Sequence, residues 1–82
     1  MKNVKDVVLQ CHNALLKEKG INKISSPDMD MTRENGIDSL GIVSLVLEIE
    51  EELGVELDSV LAMIRKSKKI AEFIEVIENA IG

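Results

Sequence analysis

Three stretches of this chain carry apolar residues at helical spacing, and no stretch shows the strict alternation of a half-buried strand. The first covers residues 3–19. Val4, Val8, Cys11 and Leu15 fall on one face with Val7 beside them, and Gly20 is a natural stop. The second begins at Asp38 or Ser39 and ends near Leu53, with Asp38 as N-cap and Gly54 as stop. The third spans residues 67–81, where Ile70, Phe73, Ile74, Ile77 and Ile81 form one apolar stripe. A shorter helix is expected over 58–64, with Val60, Leu61 and Ile64 facing inward. Residues 21–37 hold Ser25, Ser26, Pro27, Asp28, Asp30, Asn35 and Gly36, which read as a loop. Loops this long in small domains are often functional. Ile21, Ile24, Met29 and Met31 are expected to pin it to the core. The pattern predicts an all-α fold: a small four-helix bundle of three longer helices and one short one, with the long loop between helices one and two.

The second helix carries two apolar stripes. Ile42, Leu45, Val46, Ile49 and Leu53 cluster on one side and form the expected core face. Leu40, Val43 and Leu47 cluster roughly 140° away, counted at 100° per residue. A bundle this small cannot easily bury both sides. Either another helix covers the second stripe, or it is an exposed ridge for a partner. Glu50 and Glu51 flank the ridge, and charges around an apolar contact favour fast, orientable docking on a basic patch.

Size and charge narrow the picture. At 82 residues the chain is near the lower limit for a self-sufficient core, and residues 1–82 read as a single domain. One Cys excludes a disulfide framework, and one His removes most metal and His-relay chemistry. The apolar runs are too short to span a membrane, and the N-terminal stretch lacks a signal-peptide core. A reducing cytoplasm fits best. The net charge of -5 is unevenly spread. Residues 28–64 hold ten acids and one Arg, while both flanking segments are net basic. Partners with basic surfaces are expected. Nucleic acid is not, since Phe73 is the only aromatic and there is no basic stripe.

The stretch Gly36-Ile37-Asp38-Ser39-Leu40, with Val43, Leu45 and Leu47, then Glu50-Glu51-Glu52-Leu53-Gly54-Val55-Glu56-Leu57, resembles the acyl carrier protein family. The specific part covers residues 34–57, and length and helix pattern extend it over the chain. The resemblance implies that Ser39 is the attachment point of 4'-phosphopantetheine, placed there from coenzyme A by a phosphopantetheinyl transferase. The arm's thiol would then carry an acyl or aminoacyl group as a thioester to acyl-loading and acyl-transferring enzymes with basic docking patches. Gly36, Asp38 and Leu40 would frame the attachment site. Leu40, Val43 and Leu47 would be apolar partner contacts, and Glu50 and Glu51 acidic ones. The carrier is expected to be a monomer that neither inserts into membranes nor binds a dedicated metal.

The chemistry of the site agrees with that implication. A Ser at a helix N-terminus meets unpaired backbone N–H groups and the positive end of the helix dipole, which favour a phosphodiester on its oxygen. A simple capping role for Ser39 is the plainer alternative. Cys11 lies on the core stripe and reads as a structural thiol, and His12 as a boundary residue. The run of Glu48, Glu50, Glu51 and Glu52 lacks the loop geometry of a calcium site. Asp28 and Asp30 either join a loose cation site or serve the loop. An aliphatic core could admit an acyl chain, or be an ordinary packed core.

Three positions depart from the family pattern: Asn35 where Leu is usual, Gly41 where an acid is common, and Ser44 where Glu is frequent. Gly41 in a helix costs about 1 kcal/mol relative to Ala. These departures point to a specialised discrete carrier. They also keep open an unmodified carrier-like module acting as an assembly subunit. An enzyme is disfavoured, because no acid, base and nucleophile constellation is evident.

Overall fold

The computed structural model describes residues 3–81. Helix α1 spans Val4–Glu18, α2 Ser39–Leu53, α3 Leu61–Lys66 and α4 Ile70–Ile81. Short 3-10 turns cover Arg33–Asn35, before α2, and Asp58–Val60, before α3. The fold is the expected all-α carrier-type bundle, and no strand forms among the described residues. Helix α1 packs against α2 and α4, and α3 packs against α4.

Each boundary has a local cause. Asn3 caps α1 by accepting the Lys5 N–H at 2.9 Å. Gly20 follows its end at φ 72°, a conformation costly for residues with a Cβ. Gly54 ends α2 in the same way, its N–H bonded to the Glu50 carbonyl. The Glu50 side chain also accepts the Leu57 N–H at 2.7 Å, which closes the turn that follows.

The core is aliphatic apart from Phe73. Val8, Leu16, Leu45, Ile49, Leu57, Ile64, Ile70 and Ile77 join Phe73 in being fully buried. Each such side chain contributes about 1.5–3 kcal/mol through removal from water. Cys11 is buried as expected.

Five expectations are corrected. Helix α4 starts at Ile70, three residues late, because the preceding segment pairs with the loop instead. The Met31 N–H bonds Lys68 O, Ile70 N–H bonds Met29 O, and Ala71 N–H bonds Pro27 O, at 2.8–2.9 Å. Extended backbone at Ser67 separates this segment from α3. Those bonds tie the loop to the start of α4, in addition to the expected apolar pins. Met29 and Met31 do pack on the core, but Ile24 is 84% exposed. Ile81 is the last residue of α4 and is exposed. The expected short helix divides into a 3-10 turn and α3, with Ile64 buried and Val60 and Leu61 only partly so. His12 is fully buried rather than a boundary residue.

Candidate functional site

The 3-10 turn and the start of α2 together build a shoulder around Ser39. The Arg33–Asn35 turn ends at Gly36, whose φ of 81° folds the chain back so that the Ile37 N–H reaches the Thr32 carbonyl at 2.9 Å. Ile37 is buried and anchors the shoulder in the core. Asp38 then leaves in extended conformation and caps α2. Its Oδ1 accepts the Gly41 N–H at 2.6 Å, and its carbonyl accepts the Ile42 N–H at 2.9 Å. Ser39 is the first helical residue and is exposed. Its hydroxyl has no partner among the described residues.

Asp38 is held ionised. The Gly41 N–H and then the Lys19 ammonium, 3.0 Å from Oδ2, lower its carboxyl below the ordinary 3.8, against a smaller opposing effect of desolvation. A carboxylate so occupied is a poor base. Asp38 is therefore badly placed to act as a general base for the neighbouring Ser39 hydroxyl.

Gly41 is explained by the same shoulder. A Cβ there would run into the Gly36 carbonyl oxygen and lie 2.9 Å from Asp38 Oδ1. The helix loses Ala-like stability at this position because the backbone of the preceding turn occupies the space of a side chain.

Asn35 belongs to a buried polar network that sequence reasoning missed. Its carbonyl lies 2.8 Å from His12 Nε2, and its Nδ2 donates to the Asp30 carbonyl at 2.8 Å. Its Oδ1 accepts from Lys23 Nζ at 2.9 Å. His12 Nδ1 lies 2.6 Å from Ser25 Oγ, and the Ser25 N–H donates to Asn13 Oδ1 at 2.7 Å. A carbonyl only accepts, so Nε2 of His12 carries a proton. In the neutral ring Nδ1 then accepts the Ser25 hydroxyl. The available signal was spacing: His12 stands four residues from both Val8 and Leu16, each fully buried. Among the described residues no buried side-chain N or O lacks a partner.

An open groove of about 580 Å³ adjoins Ser39, lined by Met31, Arg33, Ile37, Asp38, Ile42, Arg65 and Ser67 as well as Ser39 itself. On α2, the second stripe is uncovered. Leu40 is 79%, Leu47 59% and Val43 42% exposed. Glu51 stands in solvent, whereas Glu50 is half-buried through its bond to Leu57. Asp28 and Asp30 serve the loop. Lys69 Nζ is 2.8 Å from Asp30 Oδ1 and 3.3 Å from the Asp28 carbonyl.

This geometry meets a family with a defined chemistry. Residues 8–77 match the family model described as phosphopantetheine attachment site, so the chain belongs to that family of carrier domains. Searches of curated proteins and of solved structures return no match to the chain. The family's prosthetic group is covalent 4'-phosphopantetheine, and its carrier domains are not themselves catalytic. They work with phosphopantetheinyl transferases and acyl-handling enzymes. The residues present fit the group: an exposed hydroxyl on a capped helix N-terminus opens on a groove with both apolar and cationic lining. No helix among the described residues is long and apolar enough to cross a membrane.

Proposed function

We propose that this chain is a specialised carrier, with 4'-phosphopantetheine attached at Ser39. The observation that carries this reading is the exposed Ser39 hydroxyl at the start of α2, without a hydrogen-bond partner among the described residues and beside an open groove. In the loading step, Ser39 Oγ attacks the pantetheine-side phosphorus of coenzyme A. The phosphoanhydride bond breaks, adenosine 3',5'-bisphosphate leaves, and the serine proton passes to a base of the transferase. The chain contributes a rigid shoulder that presents the hydroxyl, with Gly36 and Asp38 setting its backbone and Leu40 beside it. When bound, the group supplies a thiol that holds an acyl or aminoacyl unit as a thioester.

Leu40, Val43 and Leu47 form the apolar docking face for the loading and transferring enzymes, with Glu51 as its acidic neighbour. Glu50 adds charge from a carboxylate whose first task is the turn after α2. Gly41 and Ser44 remove two acids beside the attachment point, which supports dedicated partners and a distinct cargo rather than a housekeeping fatty-acid role. Asn35 and Gly41, which kept an unmodified assembly module open, both have structural reasons that leave Ser39 accessible.

The test is intact mass after incubation with coenzyme A and a promiscuous phosphopantetheinyl transferase, wild type beside Ser39→Ala. One added phosphopantetheine in the wild type alone is expected. No gain with several transferases would remove the carrier reading in favour of a binding module.

A further inference from the structure

The sequence contains eight lysines and only two arginines, Arg33 and Arg65. Both arginines line the groove beside Ser39. They arrive from separate elements: Arg33 opens the 3-10 turn before α2, and Arg65 lies in the last turn of α3. Both are exposed, and among the described residues neither forms an ion pair, in a chain with fifteen acids. Arg33 is also the one base within residues 28–64. A guanidinium differs from an ammonium by its planar fork, which binds two phosphate oxygens at once.

We propose that Arg33 and Arg65 form a clamp for the phosphodiester that joins the prosthetic arm to Ser39, directing the arm along the groove over Met31, Ile37 and Ile42. This rests on Ser39 being the attachment residue. The phosphorus bonds directly to Ser39 Oγ, so its anionic oxygens stay at the groove, whereas the cargo hangs at the far end of the arm. The clamp also resolves an electrostatic conflict. A phosphodiester at Ser39 stands next to the ionised Asp38, and like charges so close repel. Lys19 offsets Asp38 through its 3.0 Å contact and Arg33 adds a weaker longer-range attraction to the same carboxylate, while neither arginine is held in an ion pair among the described residues. The N–H groups of Ser39 and Leu40 meet no acceptor among the described residues, and the α2 dipole adds to the same attraction.

The experiment compares wild type, Arg33→Gln, Arg65→Gln, the double Gln variant and the double Lys variant, each before and after loading with the free-thiol arm. Intact mass scores loading, and amide spectra of the apo forms score folding. The side-chain Nε–H resonances of the two arginines and the phosphorus resonance of the arm report the clamp. Loading is expected to move both Nε–H signals of the wild type. In the double Gln variant the phosphorus signal should revert to that of an unconstrained phosphodiester, with the double Lys variant intermediate. Raising salt to 1 M should weaken the effect, since screening then acts within about 3 Å. Unmoved Nε–H signals in fully loaded wild type, or identical phosphorus signals in wild type and double Gln variant, would overturn the clamp. Arg signals that move only when the arm carries a succinyl group would also overturn it, assigning the arginines to a cargo carboxylate. A wild type that gains no mass fails at Ser39, before the clamp is reached, and removes both readings.

Discussion

The two sides of α2 are built from the same residue types and have opposite fates. Ile42, Leu45, Val46 and Ile49 are buried, while Leu40, Val43 and Leu47 stand in water on the same helix. Hydrophobicity alone does not choose between them. The choice comes from the ends of the helix. Gly41 lets the first turn press against the Gly36 carbonyl, and Asp38 caps the same turn. Glu50 ties the last turn to Leu57. With both ends held, rotation about the helix axis is set, and one aliphatic face is left in solvent. An exposed apolar ridge of this kind is expected to mark an interaction surface.

The contrast is broken most directly in the core. Leu45→Ala should cost about 2–5 kcal/mol, because it leaves a cavity between α1 and α2. Thermal unfolding should show a fall in Tm of at least about 8 °C, at 4–8 °C per kcal/mol for a domain of this size. A fall of only a degree or two would mean that the buried face is loosely packed.

Gly41→Ala tests what sets the rotation. Normal helix propensity predicts a gain of about 1 kcal/mol, whereas the contact with the Gly36 carbonyl predicts a loss of about 1–3 kcal/mol. The sign of the change in chemical denaturation therefore decides whether the shoulder holds the helix.

Asp38→Asn sharpens the comparison through pH. The folded-state pKa of Asp38 lies below its ordinary 3.8, so its stabilising effect is complete above that value. It is lost as pH falls through the lowered folded-state pKa, because the unfolded chain then binds the extra proton. Wild-type Tm should decline over that acid interval, and Asp38→Asn should make part of the decline disappear. Equal slopes for the two proteins would remove Asp38 from the pH response.

Leu47→Asp carries the smallest effect on folding, within about 0.5 kcal/mol, as for an exposed position away from special features. Group transfer from the loaded carrier to its partner enzymes should nevertheless fall. A collapse of helical signal and Tm in the variant, with the wild type robust, would place Leu47 in the core and end the ridge argument.

Much of this molecule was legible in its residues. The caps at Asn3 and Asp38 and the stops at Gly20 and Gly54 act within one turn, so α1 and α2 were readable to within a residue or so. The start of α4 was not. It depends on loop residues 27–31, which are remote in sequence and take the backbone bonds that would have begun the helix at Ser67. The site divides in the same way. Ser39 stood out by its place at the head of α2 and by the motif around it. The His12–Ser25–Asn35 network did not, because its members come from α1, the loop and the 3-10 turn, and no local pattern links them.

Sequence by itself determined α1 and α2, the apolar faces of the helices, the motif around Ser39 and the acidic middle of the chain, since each follows from residues a few positions apart. Tertiary structure decided which α2 face is free, why Gly41 and Asn35 are tolerated, and that both arginines gather beside Ser39. Those outcomes depend on contacts between segments distant along the chain, where shape and hydrogen-bond satisfaction outweigh local preference.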